Sequence, residues 1–114
     1  MAGYYDPEDL ERFAEIGKAS PELWGKFSAW YGSVFAPGAL TQREKALIAL
    51  AVAHAVQCPY CIDAYTQESL AQGADIRQMT EAVHVAAAIR GGASLVHGMQ
   101  MRHTAGRLSL EHEE

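Results

Sequence analysis

Ala46-Leu47-Ile48-Ala49-Leu50-Ala51-Val52-Ala53-His54-Ala55-Val56 is followed, after Gln57, by Cys58-Pro59-Tyr60-Cys61. The fold turns on whether this apolar run is a helix or a buried strand, since Cys-x-x-Cys directly after a buried strand is the thioredoxin-like arrangement. The run is longer than an ordinary strand and alanine-rich where strands favour β-branched and aromatic residues. Just ahead of it, Thr41-Gln42-Arg43-Glu44 has the form of a capping box, Thr41 as N-cap and Glu44 reaching back. No other segment supplies a convincing partner strand. The run is therefore a helix and the fold all-α. Because it has no polar face, the helix is expected to be buried on all sides, partly against another subunit.

Downstream, Cys58 stands at the break and Pro59 suits the first position of a new helix to about Gln72, which Gly73 ends. Asp75 and Gln78 form a second capping-box pattern, opening a last helix over about 76–102. Gly91-Gly92 lies inside it, which a kink or a close helix–helix approach would explain. Residues 108–114 read as a solvated tail. Upstream, Asp6-Pro7-Glu8-Asp9 starts a first helix with Asp6 as N-cap, and Leu10, Phe13, Ala14 and Ile16 make its stripe before Gly17 stops it. Ser20-Pro21-Glu22 repeats the start signal. The helix near 21–35 holds most of the aromatic mass, Trp24, Phe27, Trp30 and Tyr31 among it, and reads as core or interface packing. The expected architecture is one compact all-α domain of about five helices, with an N-terminal helical pair over 1–37 and a core over 38–104.

A chain of 114 residues holds one domain, and 49% hydrophobic with 20% charged residues is a folded composition. A net charge of −5 without any Lys/Arg run argues against a nucleic-acid partner. The N-terminus lacks signal-peptide features, and the longest apolar run is about half the roughly 20 residues of a membrane span. The reading is a soluble, cytoplasmic protein, in which two close cysteines suggest redox or metal chemistry.

At a helix N-terminus, unpaired N–H groups and the positive dipole end would stabilise a Cys58 thiolate. The spacing lets a second thiol attack the first once it is oxidised, through a sulfenic acid and a disulfide, or by plain thiol–disulfide exchange. His54 lies one helical turn before Cys58 and is the candidate proton acceptor; satisfaction by a backbone carbonyl is its plain alternative. Tyr65, four residues after Cys61, is a candidate proton donor or an ordinary packing residue. Glu44 reads as a cap and, fourteen residues of helix from Cys58, would lie about 21 Å away. A zinc site from His54, Cys58, Cys61 and His84 is the rival, although zinc sites usually show two paired ligand clusters and only one is present. No metal or organic cofactor is expected.

The string Thr41 to Ala53 with Cys58 to Thr66, and Ala82-Val83-His84 through Arg90-Gly91-Gly92-Ala93-Ser94, resembles the carboxymuconolactone decarboxylase superfamily. The resemblance covers about residues 38–98 and is nearer to the alkylhydroperoxidase D-like branch, within it to the arsenosugar biosynthesis-associated peroxidase-like subgroup. It implies an all-helical subunit in trimers or hexamers, whose cysteines reduce hydroperoxides and are re-reduced by a dithiol partner. It also implies that Cys61 attacks peroxide and Cys58 resolves, whereas the helix cap alone favours Cys58 as the lower-pKa thiol. The family's proton relay uses a Glu twelve residues before the first cysteine and a His four after the second. Here those positions hold Ala46 and Tyr65. The resulting expectation is a dithiol oxidoreductase acting on a hydroperoxide or disulfide substrate, with His54 in place of the missing relay. The expectation from a different class is a non-catalytic helical binding or assembly module.

Overall fold

In the computed structural model, residues 3–113 are described, with side chains for 3–110. Among them every regular element is helical: α1 Pro7–Glu11, a 3-10 helix Phe13–Ala19, α2 Pro21–Phe35, α3 Gln42–Ala55, α4 Pro59–Ala71 and α5 Ile76–Glu113. The all-α single domain is as the sequence implies. One element more than expected arises at the N-terminus, where the first helix breaks at Arg12 and continues as a 3-10 segment. Gly17 is the buried point of that segment. A Cβ there would come within 2.5 Å of the Trp24 ring, so glycine lets the 3-10 helix lie directly on α2.

The start signals read from the sequence largely form. Asp6 accepts from the Glu8 N–H at 3.0 Å. Thr41 accepts from the Glu44 N–H at 3.1 Å while Glu44 accepts from the Thr41 N–H at 2.8 Å, which makes Glu44 a cap. Asp75 and Gln78 exchange the equivalent bonds at 2.9 and 3.0 Å. Ser20 is the exception, with no side-chain cap bond.

The core lies where α3, α4 and α5 meet. Leu50, Ala74 and Met79 are buried together, with Leu47 and Tyr65 packed against them. Burying a leucine such as Leu50 contributes about 2 kcal/mol. Polar ties close the ends of the bundle. Arg43 donates to the Gln72 carbonyl at 3.2 Å, Arg90 to that of Ala55, and Lys45 to that of Val34 at 2.7 Å, which satisfies the end of α2.

Two expectations, both on α5, are corrected, and the burial expected of α3 is met by this chain only in part. Helix α3 is buried along one side only, at Ala46, Leu50 and Ala53; Ile48, Val52 and Val56 are half or more exposed within the chain. A run without a polar face need not be covered by its own chain, because apolarity requires only that some partner be apolar. Helix α5 continues without a break to Glu113, about eleven residues beyond the expected end, since no proline or capping glycine interrupts it. The supposed tail is therefore helical as far as Glu113, with the side chains of 111–114 outside the description. Finally, Gly91-Gly92 neither ends the helix nor meets another part of the chain: a Cβ at either would face open space. The substantial packing of α5 is against α3, and its C-terminal half projects. The radius of gyration is accordingly 20.3 Å, against about 13 Å for a compact chain of this length.

Candidate active site at the Cys58–Cys61 turn

Helix α3 ends at Ala55, with Val56 as its C-cap and Gln57 between it and the motif. The Gln57 N–H donates to the His54 carbonyl at 3.2 Å and the Cys58 N–H to the Ala53 carbonyl at 3.0 Å. This is the Schellman pattern, which needs a left-handed residue at its turn. Gln57 takes that role with φ of 56°, a position that favours glycine. The reversal delivers Cys58 as the N-cap of α4, with Pro59 in the first turn.

Cys58 caps with sulfur. Its Sγ accepts from the Cys61 backbone N–H at 3.3 Å, and the Cys61 thiol also hydrogen-bonds to it. These two bonds, the side-chain one first, hold the Cys58 thiol below its ordinary pKa of 9.0. Burial, and then the bond to Cys58 and that sulfur's charge, push the Cys61 thiol up to about 11. Both cysteines are free and half-buried. One thiol is thus shifted towards its thiolate and the other is held as the protonated neighbour that supports it.

Tyr60, inside the motif, ties the N-terminal segment over the turn. Its ring meets Tyr5 edge-on at 4.7 Å, and its hydroxyl reaches Asp9 at 3.3 Å. Tyr5 in turn donates to Asp63 on α4 at 2.8 Å. With α1 fixed there, a cavity of about 710 Å³ opens between the N-terminal elements and α4. Its wall includes Leu10, Phe13, Ile16, Trp24, Phe27 and Tyr31, and both cysteines line its floor. A second apolar hollow of about 430 Å³ on the α3 side shares Tyr31, Cys61 and Tyr65 with the first, but Cys58 opens onto the first alone.

Of the residues expected at the site, Tyr65 lies beside the thiols. It lines both hollows and stacks on Phe35 at 5.2 Å. His54 is half-buried, with Nδ1 on the Leu50 carbonyl at 2.8 Å, and it lines neither hollow. His84 is exposed on α5. Among the described residues no three His, Cys, Asp or Glu side chains gather as a ligand set, so the four zinc candidates are not brought together.

Tyr31 was not among the expected site residues. It lies on α2 between Phe27 and Phe35, at ring distances of 5.5 and 4.9 Å, and shares both hollows with Cys61. Burial first, and then the charges of the Cys61 and Cys58 sulfurs, raise its phenol above the usual 10.0. Its phenol is therefore a protonated group beside the thiols. The aromatic stripe of 21–35 carried a signal, but nothing local distinguishes Tyr31 from its packing neighbours; only the return of α2 across α4 does.

A sequence model described as the Carboxymuconolactone decarboxylase family matches residues 21–101. The chain belongs to this family. "Uncharacterized protein 4 in cox locus" from Paracoccus denitrificans is 40% identical over 97 residues, covering 85% of this chain and 87% of that one. Among solved structures, a protein from Methanobacterium thermoautotrophicum aligns with a TM-score of 0.73 at 32% identity, covering 75% of this chain and 97% of that one. An apo carboxymuconolactone decarboxylase family protein from Legionella pneumophila aligns with a TM-score of 0.67 at 33% identity, over 79% of this chain and 80% of that one. The matched region contains α2 through most of α5. The elements that wall the cavity from the N-terminal side, α1 and the 3-10 helix, precede it.

Proposed function

We propose that this family member is a dithiol oxidoreductase of the peroxidase-like type. The observation that carries the reading is the sulfur cap: Cys58 Sγ takes the N–H of Cys61 and holds a depressed pKa, at the floor of an apolar cavity. Thiolate character at a helix N-terminus, beside a resolving thiol, is what peroxide reduction or disulfide exchange needs.

In the reaction the Cys58 thiolate attacks the terminal oxygen of a hydroperoxide ROOH. The S–O bond forms, the O–O bond breaks, and RO⁻ leaves as ROH after taking a proton. Tyr31 and Tyr65, which line both hollows with Cys61, are the proton donors of this reading. Cys61 then displaces water from the Cys58 sulfenic acid, giving the disulfide. A dithiol reductant returns both thiols and is itself oxidised to a disulfide, so the sum is ROOH plus dithiol to ROH, water and disulfide. The order of attack follows the electrostatics of this chain, with Cys58 first, and reverses the order that the family resemblance implies. His54, with Nδ1 on the Leu50 carbonyl, keeps its other ring nitrogen for the proton-accepting role that this reading gives it.

Among the described residues no helix is long and apolar enough to cross a membrane. We place the protein in the cytoplasm, in a homo-oligomer whose contacts cover the exposed apolar side of α3. A second reading, a binding module for an apolar small molecule, draws on the same cavity. One experiment separates the two: peroxide consumption with dithiol reductants, wild type beside the Cys58→Ser/Cys61→Ser double variant. Turnover by the wild type alone is expected. Equal background rates for both would leave the binding module.

A further inference from the structure

Helix α5 carries a pattern that the thiol site does not use. Starting at Val85, positions 89, 92, 96, 99, 103, 106 and 110 follow at alternating steps of four and three, the spacing of a coiled-coil seam. Val85 is 60% exposed, Ile89 70%, Val96 65% and Leu110 66%, so this seam faces no other part of the chain. A neighbouring side of the helix, with Met79 and Ala86 buried, is the one turned to the core. Two seam positions are glycines, Gly92 and Gly106, and a Cβ at either would meet nothing within 4 Å. Glycine weakens a helix interior, and nothing in the chain requires it at these two places.

The order of steps is the same read from either end. A copy of α5 laid antiparallel therefore meets the first in register: Val85 against Leu110, Ile89 against Gly106, Gly92 against His103, and Val96 against Met99. Each glycine then receives a large side chain from the other helix, which is how facing layers interdigitate. A parallel pair would set glycine against glycine and would bring Arg102 of one copy beside Arg107 of the other. The antiparallel pair brings Arg102 beside Leu95 and opposes no two of Arg90, Arg102 and Arg107. Shape and charge select the same arrangement.

We propose that α5 pairs antiparallel with α5 of a second copy along this seam, about 38 Å in length, through an isologous two-fold contact. The last three seam positions, 103, 106 and 110, lie beyond the matched family region, which ends at 101. The contact belongs in part to this chain's own extension and does not depend on the thiol chemistry.

The test uses the full chain with Cys58→Ser and Cys61→Ser, so that new cysteines report alone. Val85→Cys and Leu110→Cys are made separately, mixed, allowed to exchange subunits and oxidised in a glutathione buffer. The expected product is a disulfide-linked heterodimer in the mixture, with no linked homodimer from either variant alone. Homodimers from each variant alone would show a parallel pair, and no linked species in the mixture would remove the contact; either overturns the proposal. In a chain with its native cysteines, Val96→Glu places a charge at an exposed position that folding does not need. Sedimentation is expected to give at least a twofold lower mass with unchanged helicity, and an unchanged mass overturns the proposal.

Discussion

The two thiols, three residues apart, differ because one receives hydrogen bonds and the other gives them. Cys58 takes the Cys61 N–H and S–H, whereas Cys61 lies deeper and gains no donor of its own. The depressed thiol ionises first as pH rises, so alkylation of Cys58 should begin below the ordinary thiol range and that of Cys61 only near pH 11. Cys61→Ser should keep one thiol that alkylates below the ordinary thiol range, because a serine hydroxyl still donates to Cys58. Cys58→Ser should leave one slow thiol, at least tenfold less reactive; equal rates in the two variants would contradict the assignment. The cysteine pair and its cap were legible from Cys-Pro-x-Cys after a helix-ending run. Tyr31 was not, because its place beside the thiols depends on how α2 crosses α4, and sequence spacing along one helix does not encode that crossing.

At the scale of elements, α3 and α4 end alike and are built differently. The Gly73 N–H donates to the Leu70 carbonyl and the Ala74 N–H to the Ser69 carbonyl, the same pair of bonds that Gln57 and Cys58 make. Gly73 has φ of 87° and Gln57 has 56°. A β-carbon in this region costs about 1–2 kcal/mol, partly returned by the freer unfolded chain when glycine replaces it. Gln57→Gly should therefore stabilise the protein by about 0.5–1 kcal/mol, and Gly73→Ala should destabilise it by about 1 kcal/mol. Denaturant midpoints at constant m-value would check both signs. The stop at Gly73 could be read because glycine announces the left-handed turn. The stop at Gln57 could be placed only from the proline that follows it. In the last helix the glycine pair suggested a kink or a close helix approach, yet the surrounding helix formers and the absence of proline carry the helix through in open space.

For the whole molecule, the N-terminal elements and the thiol turn are held together largely by polar contacts at the surface. Asp63 accepts from Tyr5 and, at 2.7 Å, from Gln67, and these bonds, that of Gln67 first, hold its carboxyl below the ordinary 3.8. A depressed folded pKa stabilises above the unfolded value and is lost as pH falls through the folded one. The tie of α1 over the cavity should therefore loosen only below about pH 4. Tyr5 shifts the opposite way, upward from 10.0, first through its bond to Asp63, so the same tie fails as pH rises past that value. Tryptophan emission from Trp24 and Trp30 should stay constant between these limits in wild type and change on acidification below them, whereas Asp63→Asn, with no carboxylate to protonate, should lose that acid step; identical acid profiles would remove Asp63 from the tie. The all-helical domain was readable from caps and periodicity. Its elongation was not, since the exposed side of α3 and the free half of α5 look, in sequence, like segments that any core would absorb.

The sulfur cap joins the proposed chemistry to the stability of the fold. Cys58 can take the Cys61 N–H as a thiolate, and a disulfide sulfur is a far weaker acceptor, so oxidation removes a capping anion from the first turn of α4. Whatever free energy the cap contributes to the reduced chain is contributed again, with the same magnitude, to its reduction equilibrium. Each 1.4 kcal/mol of such preference raises the two-electron potential by about 30 mV. A chain that melts at a higher temperature with its thiols reduced is, by that linkage, a chain whose disulfide is the stronger oxidant.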